Sequence, residues 1–224
     1  MQTPAERRLV EHLARVLPYR DAAPALVLAV GAGRSLSIEN QLSAAGRSFL
    51  CDRVDVEDCR LEDPRVRNAW ICSAEDMPSV SSAAYDAAFA NYVLEHVPNV
   101  RRAAREIFRV LKPGGLFVTS FPNPRAFEFV VARRTPLAFH EWVRGREAWE
   151  THYDYGSVEG LVARFEEAGF HTLDVDRRAF LEGYLHRFGP LGALARGLDG
   201  AADRGGWRGL QGNVAAAFRR PPAS

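Results

Sequence analysis

Apolar positions follow two rhythms along this chain. Ala25 to Val30 is apolar at every position, as expected of a strand buried on both faces. Leu9, Leu13, Val16 and Leu17 instead recur at the spacing of one helical face. Thr3-Pro4-Ala5-Glu6 stands just before them: a capping threonine, a proline at the first helical position and a glutamate three residues after the cap. The same reading predicts that Gly31-Ala32-Gly33 breaks the first strand and that a weaker helix over Ser37–Ala45 ends at Gly46. A second strand over Ser48–Cys51 stops at Asp52, and further strands cover Asn68–Cys72 and Ala87–Val93. A strong helix over Val100–Leu111 is closed by Pro113-Gly114-Gly115 and followed by a strand over Leu116–Phe121. A helix over Ser157–Ala168 stops at Gly169, and late strands cover His171–Asp176 and Asn213–Phe218.

Strands alternating with helices imply an α/β fold with a doubly wound, mostly parallel sheet. The 224 residues fit one domain spanning 1–224, with an N-terminal helix within residues 1–20. Two stretches break the alternation: 122–156, rich in aromatics and arginine, and 178–212, rich in glycine and leucine. Ligands of doubly wound sheets bind beyond the carboxyl ends of the strands, so these stretches are the expected substrate cover.

Composition narrows the function. A net charge of +1 argues against nucleic acid as a partner. Lys112 is the single lysine among 29 basic residues. Cys51, Cys59 and Cys72 form no CxxC pair, which points to a reducing, cytoplasmic setting and to no metal site. No apolar run reaches membrane-spanning length and no leader pattern opens the chain, so no membrane partner is expected.

The candidate chemistry gathers around the glycine loop. Gly31 and Gly33 permit close approach of a ligand, and the helix start that follows favours an anionic group. A dinucleotide fingerprint would need a third glycine where Leu36 stands, which weakens a NAD reading. Asp52, about twenty residues past the loop, is the candidate for a ribose diol, with Asp55 as its rival. Asp76 is the candidate acceptor for an adenine amino group, with the Met77 N–H facing a ring nitrogen.

Four runs carry a family resemblance: Ala74-Glu75-Asp76-Met77-Pro78, Tyr85-Asp86-Ala87-Ala88-Phe89, Val93-Leu94-Glu95-His96-Val97 and Arg105 to Gly115. In this order they resemble the small-molecule, S-adenosylmethionine (SAM)-dependent methyltransferases of the ubiquinone/menaquinone-biosynthesis type, over roughly residues 25–121. The resemblance implies a Rossmann-like, seven-stranded sheet with an antiparallel last strand. It also implies SAM contacts at Gly31, Ala32 and Gly33, at Asp52, at Glu75, Asp76 and Met77, and at Asn91 and Tyr92. One departure is Ser35, where the family often has a third glycine.

On the acceptor side, transfer to an oxygen of high pKa needs a base. His152 is the first candidate and His140 the second, with His96 beside Glu95 as a third. The expected partner is a small molecule: Phe127, Phe129, Phe139, Trp142 and Trp149 would wall an apolar or aromatic one, whereas Arg125, Arg133, Arg134, Arg144 and Arg146 would attract an anionic one. The expected activity is methyl transfer to oxygen by a monomer or homodimer. The alternatives are non-methyl-transfer chemistry with bound SAM, and a non-catalytic scaffold or regulatory subunit on the same fold.

Overall fold

A computed structural model describes residues 2–127, 151–186 and 189–223. Among these, helix α1 (Pro4–Val16) opens with the anticipated capping box: the Thr3 hydroxyl accepts from the Glu6 N–H and the Glu6 carboxylate accepts from the Thr3 N–H. Seven strands follow: β1 (Ala25–Val30), β2 (Phe49–Asp55), β3 (Val66–Ile71), β4 (Tyr85–Asn91), β5 (Leu111–Pro122), β6 (His171–Arg178) and β7 (Asn213–Arg219). They form one sheet in the order β3-β2-β1-β4-β5-β7-β6. β7 runs antiparallel to both neighbours, and the other pairings are parallel.

The period of two along each strand separates two cores. Leu28, Val30, Ala88 and Phe117 face helices α3 (Val100–Val110) and α4 (Val158–Glu167), which contribute Ile107, Leu161 and Phe165. Val27, Ala29, Ala87 and Phe89 face α1 and helix α2 (Ser37–Ala44), which contribute Leu9, Leu13, Ile38 and Leu42. Within the first core, Phe117, Phe165 and Phe218 stack face to face at centroid separations of 4.7–6.2 Å. The strand order reverses between β1 and β4, which opens a crevice at their carboxyl ends.

Several boundaries differ from expectation. β2 continues to Asp55 rather than stopping at Asp52, because Asp52 finds partners inside the fold. β5 begins at Leu111, directly after α3, and its ladder with β4 shifts register between Tyr85 and Ala87. Gly114 holds φ +81°, and a side chain at Gly115 would meet the Lys112 carbonyl at 2.8 Å, so the two glycines shape this irregularity. Asp86 ties the start of the crossing together: it accepts from Lys112 at 2.6 Å and from the Leu26 N–H at 2.8 Å.

The stretch 178–212 contains helices α5 (Leu181–Leu185) and α6 (Pro190–Gly205), packed against each other. Among the described residues no helix is long and apolar enough to cross a membrane.

Candidate functional site

The cleft at the crevice has a volume of about 460 Å³ and is walled by Gly31 and Gly33, Asp55, Ser73, Ala74 and Val93, with His96 and His152 at its far side. Its floor is the turn after β1. Gly31 holds φ +62°, and an added β-carbon would lie 2.4 Å from the Val93 methyls. Gly33 holds φ +54° with open space where a side chain would be. The first glycine is required by close packing and the second by backbone conformation beside an open cradle. The Ala32 N–H donates to the Val54 carbonyl at 3.1 Å, and the Gly33 N–H to Asp55 Oδ2 at 2.8 Å. These contacts join the turn to the end of β2.

Asp52 is not in this cleft. Its side chain is fully buried, accepting from Arg67 Nε and Nη2 at 3.1 and 2.8 Å, from the Asn68 N–H and side-chain amide at 3.1 Å, and from the Tyr85 hydroxyl at 2.8 Å. Burial pushes the Tyr85 hydroxyl pKa up, and the hydrogen bond to the Asp52 carboxylate adds to the rise. A carboxylate so fully engaged is structural. Asp55, three residues further on and at the strand's true end, lines the cleft in its place.

The acidic run after β3 also turns away. Asp76 is solvent-exposed. Glu75 Oε1 accepts from the Asn99 N–H, and the Met77 N–H donates to Glu106 Oε2 at 2.8 Å, leaving nothing to face a ring nitrogen. The Met77 side chain is fully buried. Hydrogen bonds from Arg109 lower the Glu106 pKa below the usual range, against the effect of burial. The residues that reach the cleft are Cys72, Ser73 and Ala74, immediately before the run. The misplacement is one of register: a tight turn follows β3 at once, so its first residues line the cleft and the acids fall beyond it.

At the end of β4, Asn91 is occupied by structural bonds. It donates to Glu6 Oε1 at 2.9 Å and accepts from the Ser120 hydroxyl. Tyr92 adopts φ +55°, which swings its side chain between two spaces. Its hydroxyl lies 3.0 Å from Thr3 Oγ1 and 2.5 Å from Asn213 Oδ1, and burial raises its pKa.

The second space is a cavity of about 310 Å³ that shares Tyr92 and His96 with the cleft. Tyr153, Phe180 and Tyr184 give it aromatic walls, and Thr3, Glu95 and Asn213 supply polar atoms. His96 Nε2 lies 4.0 Å from Glu95 Oε1, and the Glu95 side chain is nearly buried. The Glu95 carbonyl accepts from the His152 N–H at 2.8 Å and the Tyr153 N–H at 3.1 Å. His152 itself is exposed and lines the cleft rather than this cavity.

Asp154 and Tyr155 are structural. Asp154 caps α3 through the Val100 N–H at 3.2 Å, and the Tyr155 hydroxyl donates to the Pro122 carbonyl at 2.9 Å. His140, with Phe129, Arg133, Arg134, Phe139, Glu141, Trp142, Arg144, Arg146 and Trp149, lies outside the described residues. Arg125 and Phe127 are exposed, and among the described residues no arginine or lysine lines the cavity.

Sequence reasoning did not reach Phe180, Tyr184 and Asn213, and it read Thr3 only as a helix cap. Phe180, Tyr184 and Asn213 sit in no local motif. The topology that brings β7 beside β5 is the signal that would have gathered them.

The model of a methyltransferase domain family matches residues 1–175. The chain is 27% identical over 177 residues to a demethylmenaquinone methyltransferase of Tropheryma whipplei, covering 72% of each protein. It is 29% identical over 124 residues to the mitochondrial ubiquinone biosynthesis O-methyltransferase of Rattus norvegicus, covering 52% of this chain and 34% of the relative. The fold matches geranyl diphosphate C-methyltransferase from Streptomyces coelicolor, solved with S-adenosyl-L-homocysteine, with a TM-score of 0.62 at 18% identity over 96% of this chain and 76% of that one.

Proposed function

The chain belongs to the methyltransferase domain family and uses SAM as its cofactor, and from that premise we propose that it methylates a hydroxyl oxygen of a small, ring-bearing acceptor held in the aromatic cavity. The observation that carries this reading is the pair of spaces meeting at His96 and Tyr92.

The cleft fits the cofactor. The cradle beside Gly33 is open, and the loop before α2 presents backbone amides of the kind that receive a carboxylate. Asp55 offers a carboxylate at the position suited to a ribose diol, and Ser73 and Ala74 offer an edge for adenine. Gly31, Gly33, Asp55, Ser73, Ala74 and Tyr92 are therefore the residues assigned to hold SAM, which supplies an electrophilic methyl group when bound.

The remaining work falls to this chain. Tyr153, Phe180 and Tyr184 orient a flat acceptor and exclude water, and much of the acceleration comes from that placement. His96, at the junction, is positioned to take the hydroxyl proton, with the Glu95 carboxylate beside it stabilising the imidazolium. An uncharged aromatic acceptor suits this wall better than an anionic one, since a buried carboxylate repels anions. We read residues 1–224 as one domain, with 178–212 providing one cavity wall through Phe180 and Tyr184.

Incubation with SAM and a panel of hydroxylated aromatic compounds, followed by S-adenosylhomocysteine and O-methyl product analysis, tests the reading. His96→Gln is expected to lower kcat by about 10²-fold or more with cofactor affinity unchanged. Calorimetry that detects no S-adenosylhomocysteine binding at millimolar concentration would overturn it.

A further inference from the structure

Behind the glycine loop, on the side away from the cleft, lies a buried arginine that the cofactor contacts do not use. Arg53 stands on β2 opposite Ala29 of β1, and its side chain has no solvent exposure. Nη1 donates to Glu39 of α2, itself almost wholly buried. Nη2 lies 2.9 Å from the Ala32 carbonyl, 2.8 Å from the Ser35 carbonyl and 3.4 Å from the Gly33 carbonyl. One guanidinium thus gathers three carbonyls of the four-residue stretch from 32 to 35, including the position where Ser35 departs from glycine.

Stability alone gives no reason for such a pair. A buried ion pair is commonly no more stabilising than apolar residues of similar volume. Peptide geometry supplies a reason. In a trans peptide the C=O and the next N–H point in opposite directions. Holding the Ala32 carbonyl inward turns the Gly33 N–H outward, and that N–H does meet Asp55 at the cleft. Holding the Gly33 and Ser35 carbonyls likewise turns out the amides of Arg34 and Leu36.

We propose that Arg53 is a positioning residue that fixes the glycine loop in its SAM-receptive shape, with Glu39 present to neutralise and orient it. This rests on the reading that the cleft takes SAM. The test measures S-adenosylhomocysteine affinity by calorimetry, thermal stability and acceptor KM on the full chain. The double variant Glu39→Leu/Arg53→Met removes both charges together. It is expected to melt within a few degrees of the wild type, bind S-adenosylhomocysteine at least 10-fold more weakly and leave acceptor KM unchanged. Arg53→Lys retains the charge but reaches fewer carbonyls, and is expected to weaken binding by about 3–10-fold, in line with losing one or two hydrogen bonds. Wild-type affinity in either folded variant overturns the role of Arg53. A wild-type protein that binds no S-adenosylhomocysteine overturns the cofactor assignment of the cleft instead.

Discussion

The cleft and the cavity meet at Tyr92 and His96 but are built in opposite ways. The cleft draws chiefly on four short segments at the ends of parallel strands: 31–33 after β1, 54–57 at the end of β2, 72–74 after β3 and 92–98 after β4. Parallel strands deliver their carboxyl ends to one edge, so each segment arrives by local sequence alone. The cavity draws on Thr3, on Tyr92 with Glu95, on Tyr153, on Phe180 with Tyr184 and on Asn213, five stretches separated by tens of residues and joined only by the folded chain. A site of the first kind is robust in its backbone and sensitive at single positions. A site of the second kind tolerates changes at single walls and depends on long-range docking.

Five substitutions sharpen or break this contrast. Gly31→Val should have the largest effect. Its β-carbon falls within 2.4 Å of Val93, which costs about 1–3 kcal/mol by overpacking, and its left-handed backbone adds about 1–2 kcal/mol. Cofactor binding should disappear from titrations, and denaturant midpoints should fall.

The two aspartates of β2 come next, and they should separate. Asp52→Ala strips the acceptor from Arg67, Asn68 and Tyr85 and should lower unfolding free energy by about 2–3 kcal/mol. Asp55→Asn should leave stability near wild type and weaken S-adenosylhomocysteine binding by about 10-fold, a loss of about 1.4 kcal/mol. If Asp55→Asn binds as the wild type does, the ribose assignment is wrong.

Tyr184→Ala should raise acceptor KM by about 5–30-fold, the worth of about 1–2 kcal/mol of aromatic contact, without moving cofactor affinity. A matching loss of cofactor affinity would mean that the two spaces are not separate sites.

The smallest effect is expected at Asp174, which accepts from Arg8 at 2.8 Å and bonds His12 at 2.8 Å, fastening α1 to β6. Burial would raise its pKa, but the hydrogen bonds from Arg8 and His12 bring it below the ordinary value. A depressed carboxylate stabilises the fold above its unfolded pKa of about 4 and loses that contribution as pH falls below it. Asp174→Asn should therefore cost about 0.5–1 kcal/mol at pH 7 and progressively less as pH falls below about 4, as read from paired thermal melts.

The same contrast explains what could be read from the residues in order. The all-apolar Ala25–Val30 and the capping box at Thr3 announced β1 and α1 because their signals are local. Gly31 and Gly33 were legible for the same reason. Asp52 was not: a carboxylate in a strand looks like a strand end until Arg67, Asn68 and Tyr85 close around it from other elements. Asp76 misled by one turn, since Glu106 claims the Met77 amide from a helix 29 residues away. Phe180 and Tyr184 sit in a stretch whose glycines and leucines carry no period that points to a ligand.

Thr3 has a consequence for anyone handling the protein. Its hydroxyl caps α1 and touches the Tyr92 hydroxyl, and its side chain forms part of the cavity proposed for the acceptor. Whatever precedes Thr3 in the polypeptide thus lies beside that cavity. An affinity tag fused at that end should be felt in acceptor turnover. A tag placed after Arg220, whose guanidinium is held by the carbonyls of Phe108 and Leu111 at the opposite end of the strands from the crevice, should pass unnoticed.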